Sequence, residues 1–424
     1  MERKKIAAGV TLCTHKTNQF KTSAVSLNII TALDNKASEK ALLVHLLART
    51  NKDYPTLTQM NRRLASLYGA VLSANAMKLG EAQVLTLSLV SVDNRFALGG
   101  ESILEEGIKL LMSCLFTPDI TPDGFKTENL EREKRLLSER IDSENDDKIA
   151  YALKRMTEEM CCDEAYSISP LGTKDKIAEI TGKDVFDVWK KLLLTCPVQI
   201  NVTGSFGEEK LTDIIKPCFD RLERKDGDIV YPRTEFLSES YGVKTVTEKQ
   251  KVQQGKLVIG LRAGMTYDMD NFAAIKVMNA IFGSGTFSKL FMNVREKMSL
   301  CYYCSARLVS QKGIIAVQSG VETENTQKAL EAIRHELDEV RQGNFSDETI
   351  EAAKLSLKEA YLSVSDSVLS IDAWFTSQCL SGDFMSPEQY IAMTDSVSRE
   401  EIIVAANMIT EDTVYILESE KEAE

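Results

Sequence analysis

Apolar and polar positions recur along the chain in a pattern that predicts two similar series of strands and helices. In the first series, residues 23–30 alternate as in a half-buried strand, and residues 38–49 form an apolar helix pattern. Gly80 separates two runs of strand type, which predicts a hairpin. The remaining elements of this series are a helix capped by Thr56, a helix over residues 101–116 and a long helix from about 124 to 141.

The second series repeats this order. Its predicted elements are a strand around residues 257–261, helices over 271–282 and 286–298, a hairpin over 301–320, and helices over 325–342 and 346–363. The repetition predicts an α+β fold of two homologous domains, each a mainly antiparallel sheet packed with helices. We place the domains at residues 1–220 and 221–424, with a linker around residues 210–240.

Composition narrows the possible partners and the compartment. The net charge of −12 argues against a general nucleic-acid binder, because phosphate binding needs a basic surface. No run approaches the ~20 apolar residues of a membrane span or has the form of a signal sequence. The nine cysteines are an odd number and scattered, which is typical of a reducing compartment. We therefore expect a cytoplasmic protein without nucleic-acid or membrane partners.

The predicted helix over residues 38–49 carries the most informative segment, ALLVHLLARTNKDYPT at residues 41–56. It resembles the zinc-binding segment of the insulinase/pitrilysin family of metallopeptidases, in which H-x-x-E-H precedes a T-K-x-Y-P-T-like tail. The resemblance places the first His at Ala41, the Glu at Val44 and the second His at His45. A hydrolytic zinc site needs three protein ligands, so we expect His45 to occupy a remnant pocket rather than to bind metal.

The family's third zinc ligand is a Glu on a later helix, in a segment like E-R-E-x-x-x-x-x-x-E. Here the segment begins at Glu131, and the position two helical turns beyond Glu133 is Arg140. The resemblance therefore implies that this ligand is replaced by a cation. A shift of one residue would make Glu139 the equivalent, but Ala41 and Val44 would still leave too few ligands.

Two other motifs resemble metal or redox sites, but we expect neither to function as one. His335 begins an H-E-x-x-H-like segment, yet Glu339 stands in place of the second His. Cys301 and Cys304 form C-x-x-C on a predicted strand, where residues three apart face opposite sides. We expect neither a redox pair nor a metal clamp at these cysteines.

The segment REKMSLCY at residues 295–302 resembles the family's R-E-x-x-G-L-x-Y, with Ser299 in place of the Gly. In the family the Arg and the Tyr reach across a closed chamber and hold the substrate backbone at the zinc of the other domain. The resemblance implies substrate binding by Arg295 and Tyr302. The alternative is an exposed Arg at a helix end and an ordinary Tyr on a strand.

The resemblance covers nearly the whole chain and implies a function. In some bacteria and in mitochondrial processing peptidase, two half-length members pair, and only one carries zinc. We interpret this chain as the zinc-free member, with no catalytic residue and no cofactor of its own. The expected partners are a zinc-bearing homologous subunit and unstructured peptides. The alternatives are a non-enzymatic peptide-binding or scaffold protein and, third, a protease active alone.

Overall fold

The structure, a computed structural model, describes residues 1–420. The chain packs as two compact units. The first unit contains residues 1–141, 168–233 and 363–384, and the second contains residues 142–167, 234–362 and the segment from Met385 onward. Two segments therefore pack away from their sequence neighbours, residues 142–167 in the second unit and 363–384 in the first. The boundary between homologous repeats at residues 220/221 stays a prediction.

The elements follow one another in chain order. The strands are β1 (Glu2–Ala7), β2 (Val10–Lys16), β3 (Thr22–Ala32), β4 (Val71–Leu79), β5 (Ala82–Val92), β6 (Ile120–Thr121), β7 (Gly124–Phe125), β8 (Val198–Gly204), β9 (Lys244–Gln250), β10 (Gly255–Arg262), β11 (Cys301–Val309), β12 (Ile314–Val321) and β13 (Thr410–Ser419). The helices are α1 (Ala37–Arg49), α2 (Leu57–Ser66), α3 (Ile103–Phe116), α4 (Thr127–Asp146), α5 (Lys148–Met160), α6 (Lys174–Glu179), α7 (Gly182–Thr195), α8 (Glu208–Asp220), α9 (Phe272–Gly283), α10 (Thr326–Arg341), α11 (Asp347–Leu362), α12 (Val368–Ser377), α13 (Pro387–Asp395) and α14 (Arg399–Asn407), with a π-helix at Leu290–Lys297.

Each unit is built on one sheet. The first sheet has the strand order β1-β2-β8-β3-β5-β4, and the second has the order β11-β12-β10-β13-β9. All neighbours are antiparallel except β2 with β8 and β13 with β9. The series β3-α1-α2-β4-β5-α3-α4 returns as β10-α9-π-helix-β11-β12-α10-α11. The predicted α+β class, with two mainly antiparallel sheets and a repeated element order, is confirmed.

Two predicted helices differ in detail. The helix expected over residues 286–298 is a π-helix, in which the Met298 N–H donates to the Asn293 carbonyl five residues back at 2.9 Å. The helix expected from residue 124 begins only at Thr127, because Gly124 has φ of +107° and packs against backbone. A Cβ at Gly124 would lie 2.4 Å from the Gly182 carbonyl oxygen, so only glycine fits there.

Helix α1 lies against β4, β5 and α7, which explains why most of its positions are buried. Its residues from Ala37 to Val44 are all buried. The one lysine among them, Lys40, keeps its ammonium satisfied by donating to the Ala32 carbonyl and to the Asp34 carboxylate, both at 2.7 Å. The next helix is fixed at its start by a capping box between Thr56 and Gln59. These packing contacts hold α1 in one orientation and therefore position His45.

Within residues 1–420, no helix combines the length and the apolarity that crossing a bilayer requires.

Candidate functional site

The two aliphatic positions of the degenerate motif are part of the core. Ala41 is 0% exposed and Val44 is 2% exposed, and both belong to the hydrophobic cluster of the first unit. Neither side chain offers a lone pair to a metal or a carboxylate to a water molecule. Only His45 supplies a polar side chain at the three positions of α1 where the family has His, Glu and His.

His45 is a partly buried, neutral imidazole. Its Nε2 is enclosed and has no hydrogen-bond partner among the described residues. Burial and, second, the positive charge of Arg140 lower the pKa of His45 to about 4. A histidine with this pKa is uncharged at neutral pH. Arg140 therefore lies within electrostatic range of His45.

Helix α4 places the charge of Arg140, rather than that of Glu139, where it influences His45. One Arg140 Nη atom donates to the Asn75 side-chain oxygen on β4 at 3.2 Å. Glu139 lies instead on the exposed face of α4, 3.7 Å from Arg135. Sequence reasoning did not foresee Asn75, because nothing in the local pattern of β4 indicates which residue of α4 its side chain will meet.

A further carboxylate of this helix, Glu133, forms an ion pair. Glu133 pairs with Arg49 at the end of α1, and both side chains are almost fully buried. One turn earlier on α4, the Asn129 amide donates to the Thr50 hydroxyl at 3.1 Å. Glu133 therefore joins the two helices and is not free to bind a metal or to activate water.

The tail after α1 has a structural role. The side-chain oxygen of Asn51 accepts the backbone N–H groups of Asp53 at 3.0 Å and Tyr54 at 2.8 Å. The Asn51 amide donates to the Ser113 hydroxyl on α3 at 2.8 Å. These bonds fold the tail back onto helix α3.

The residues present do not fit a zinc ion. The site offers one imidazole, and the nearby guanidinium of Arg140 would repel a divalent cation. Over residues 1–420, no cluster of three or more His, Cys, Asp or Glu side chains is arranged to hold a metal. The arrangement can accept a hydrogen bond at Nε2 of His45 and can donate from Arg140, but it has no group that would activate water.

The second unit carries Arg295 on the π-helix and Tyr302 on the edge strand β11. The Arg295 guanidinium stacks 4.5 Å from the Phe291 ring centre and lies 3.7 Å from the Glu296 carboxylate. Tyr302 is 63% exposed, and its hydroxyl donates to Glu322 at 3.0 Å. No hydrogen bond joins the Arg295 and Tyr302 side chains in the described structure. Their role in substrate binding stays a prediction.

The turn between these two residues keeps the shape that a glycine would adopt. Ser299 has φ of +52°, in the left-handed region that favours glycine. The substitution of Ser for the family's Gly therefore leaves the backbone path in place. It adds local strain, because a residue with a Cβ pays more to adopt this φ.

The prediction that Cys301 and Cys304 face opposite sides is wrong, because β11 contains a β-bulge. Tyr302 is an extra residue, since Cys301 pairs with Val321 of β12 and regular pairing resumes only after Tyr302. Cys304 pairs with Ser319, two residues from Val321 and on the same face of β12. Both cysteines are therefore buried on the core face, as neighbours.

Comparison with known proteins places the chain in a family. Residues 179–357 match the family described as "Peptidase M16 inactive domain". The chain is 31% identical over 417 residues to the probable inactive metalloprotease YmfF of Bacillus subtilis, covering 98% of this chain and 97% of that protein. The chain therefore belongs to the M16 peptidase family, the insulinase/pitrilysin family of the sequence resemblance.

Solved structures agree on the fold. A conserved protein from Enterococcus faecalis superimposes with a TM-score of 0.89 at 28% identity, covering 100% of this chain and 99% of that one. A protease from Helicobacter pylori superimposes with a TM-score of 0.82 at 15% identity, covering 98% of this chain and 99% of that one. At 15% identity the likeness to the Helicobacter pylori protease concerns the fold alone.

Proposed function

We propose that this chain is the non-catalytic half of a two-chain peptidase, pairing with a zinc-bearing M16 homologue and helping to bind the peptide. The observation that carries the proposal is the degenerate site itself. Ala41 and Val44 fill the core where two functional side chains would stand, and the positive charge of Arg140 acts on the one remaining histidine. The scaffold is retained while the groups that would cleave a peptide bond are missing.

In such a pair the chemistry belongs to the partner. The partner's zinc would polarise the peptide carbonyl and activate water. This chain would hold the peptide in place through Arg295 and Tyr302. A guanidinium forms charge-assisted hydrogen bonds with a carbonyl, and a phenol donates through its hydroxyl. Placement alone is a large effect, because an error of ~1 Å at the scissile bond can reduce the rate about a hundredfold.

The edges of the two sheets support peptide binding. β4 ends the sheet of the first unit and β11 ends the sheet of the second. An edge strand has backbone groups that can pair with an extended peptide, which would add as a further strand. Asn75, bonded to Arg140, lies on β4, and Tyr302 projects from the bulge of β11. Both edges thus carry side chains that can hydrogen bond to a bound peptide.

The cysteines support the cytoplasm as the location that we propose. All nine are free thiols, and most are buried. Free thiols at this number are typical of a reducing compartment.

The test is reconstitution with a zinc-bearing M16 homologue from the same genome. We expect no chelator-sensitive hydrolysis of an unstructured peptide by this chain alone, and much faster hydrolysis by the mixture than by the homologue alone. Replacing the motif Glu of the homologue by Gln should abolish the activity of the mixture. Turnover by the isolated chain would refute the proposal. A mixture that forms a complex but gains no activity would favour a peptide-binding or scaffold protein instead.

A further inference from the structure

A cavity of the second unit is lined from helix α9 and from the edge strand β11. It has a volume of about 570 Å³. Lys276, Asn279 and Gly283 line it from α9, where their spacing of three and four residues puts them on one face of the helix. Residues 304–308 of β11 and Leu357 of α11 form other parts of the wall. None of the described residues that line the cavity is Asp or Glu, although the chain is rich in both.

Lys276 brings a positive charge to this cavity and has no anionic partner. Within residues 1–420 its amine forms no ion pair and no hydrogen bond, and no nearby charge influences it. The amine lies 5.0 Å from the ring centre of Tyr390, 5.4 Å from that of Tyr361 and 5.5 Å from that of Phe272. Leu357 is one turn before Tyr361 on α11, so these rings stand beside the cavity. Contacts with rings replace only part of the hydration of an ammonium ion, so the amine can still gain from a bound anion.

The second basic residue of the wall, Arg307, directs its side chain elsewhere. Side chains alternate along β11, and that of Ala306 packs into the same hydrophobic cluster as α9. The charge of Arg307 instead influences Tyr166, which belongs to the cluster on the other face of the sheet. The cavity therefore has one side-chain cation and suits a ligand group with one negative charge.

Asn279 adds a buried acceptor without a donor. Its side chain is 6% exposed, and its amide nitrogen donates to the Ser284 hydroxyl at 2.7 Å and to the Ala306 carbonyl at 3.3 Å. Its side-chain oxygen is enclosed and has no hydrogen-bond partner in the described structure. An unpaired buried acceptor is unfavourable, so a ligand N–H that reaches this oxygen would stabilise the complex.

The positions of these two side chains define the ligand. They lie one helical turn apart, and the apolar side chains of Leu308 and Leu357 contribute to the wall. A carboxylate would satisfy the lysine, an amide N–H would satisfy the asparagine, and short hydrocarbon between them would contact the leucines. An acidic amino-acid residue combines these three parts, whereas a phosphate group lacks the N–H and carries more charge than one lysine balances.

We propose that this cavity binds a Glu or Asp residue of a ligand, whose carboxylate pairs with Lys276 and whose backbone N–H donates to Asn279. The residue belongs either to a peptide, in which case the inference rests on the peptide binding proposed above, or to a free N-acylated amino acid. In the first case the cavity selects peptides with an acidic residue.

The test is isothermal titration calorimetry of the full-length chain with the N-acetyl, C-methylamide derivative of glutamate. We expect saturable binding of one molecule per chain. The same derivative of glutamine has the same shape without the charge and should bind at least about tenfold more weakly. An analogue with an ester oxygen in place of the N-acetyl N–H should also bind more weakly. Equal binding of the glutamate and glutamine derivatives, or binding of neither, would overturn the proposal.

A variant of the lysine tests its role. Lys276→Met keeps a long side chain among the rings and removes the charge, so it should lose the preference for the glutamate derivative. Because the amine has no ionic partner, this variant should unfold at no lower urea concentration than the wild type. Lys328→Met, at an exposed position of α10, is the matched control and should bind as the wild type does. Wild-type Kd in Lys276→Met would overturn the proposal.

Proton uptake gives a measurement on the wild type that needs no variant. Burial lowers the pKa of Lys276 to about 8, and burial raises the pKa of the facing Tyr361 and Tyr390, which stay neutral. A bound carboxylate favours the ammonium, so each binding event at pH 8 should take up about half a proton, and at pH 6.5 almost none. Titrations in two buffers of different ionisation enthalpy measure this uptake. Binding at pH 8 without proton uptake would contradict the assignment of Lys276 as the partner.

A short peptide with a central Glu distinguishes the two sources of the residue. Binding at least as tight as that of the single derivative identifies a peptide as the ligand, and binding of the single derivative alone identifies a free amino-acid derivative. Both results support the cavity as a site for an acidic residue. All these titrations use the chain by itself, so a failure of the two-chain peptidase, seen as no gain of activity on mixing, leaves their outcome unaffected.

Discussion

Removing His45 should change how the stability of the protein depends on pH. The imidazole is partly buried, its Nε2 lacks a hydrogen-bond partner in the described structure, and burial and Arg140 lower its pKa to about 4. In the unfolded chain its pKa is close to 6.5. The unfolded state therefore binds a proton first as the pH falls. The stability associated with a neutral His45 is present above pH ~6.5 and is lost as the pH falls toward ~4.

The size of this effect follows from the two pKa values. Linkage between pKa values of about 4 and 6.5 predicts about 2 kcal/mol of stability lost between pH ~7 and pH ~5. Because part of the ring reaches solvent, screening reduces the figure, and we expect on the order of 1–2 kcal/mol. The variant His45→Leu has no proton to bind at this position. As the pH falls from ~7 to ~5, the free energy of unfolding of the wild type should therefore decrease by this amount more than that of His45→Leu.

Urea unfolding at several pH values measures the difference. Subtracting the wild-type curve from the His45→Leu curve cancels the other titrating groups, which the two proteins share. The same measurement on His335→Leu, at an exposed position of α10, controls for the loss of an imidazole as such. A His45→Leu difference that stays flat from pH 7 to pH 5 would refute the assignment of His45 as a buried, neutral side chain beside a cation.

Three further predictions concern the same site. Purified chain should contain no stoichiometric zinc by elemental analysis, because α1 supplies one imidazole, and one tightly held zinc per chain would contradict this reading of the site. Arg140→Glu should raise the pKa of His45, because it replaces a repelling cation by an attracting carboxylate. NMR titration of His45 measures this pKa, and an unchanged value would mean that the two side chains are not close. Arg49→Ala should lower the free energy of unfolding by about 3 kcal/mol, because it leaves the buried Glu133 carboxylate unpaired, and a loss below about 1 kcal/mol would show that the carboxylate finds another partner.

The regular parts of the fold could be predicted from the sequence because their signals are local. Alternation over residues 23–30 lies within β3, and the apolar pattern over 38–49 matches α1 to within one residue. Thr56 forms the predicted cap through its bond with Gln59. Each of these features depends on residues within one or two turns, so the pattern alone decides them.

The features that sequence reasoning missed depend on longer-range contacts or on a single extra residue. Over two turns, the apolar spacing of a π-helix and that of an α-helix are hardly different, so the helix ending at Lys297 was predicted with the wrong hydrogen-bond period. The β-bulge at Tyr302 changes the face of Cys301, yet only the partner strand reveals it. The packing of residues 142–167 and 363–384 follows from tertiary contacts that no local pattern encodes.

The most direct test of a zinc-free, substrate-holding subunit is the kcat/KM of the reconstituted pair. Arg295→Ala combined with Tyr302→Phe should leave complex formation unchanged and lower kcat/KM for an unstructured peptide at least about tenfold, or ~1.4 kcal/mol of barrier. The control, Lys328→Ala combined with Tyr241→Phe, removes a cation and a phenol hydroxyl at exposed positions of the second unit outside β11 and should retain the wild-type value. Wild-type kcat/KM for the Arg295 and Tyr302 variant would contradict a substrate-binding role and leave the chain as a scaffold.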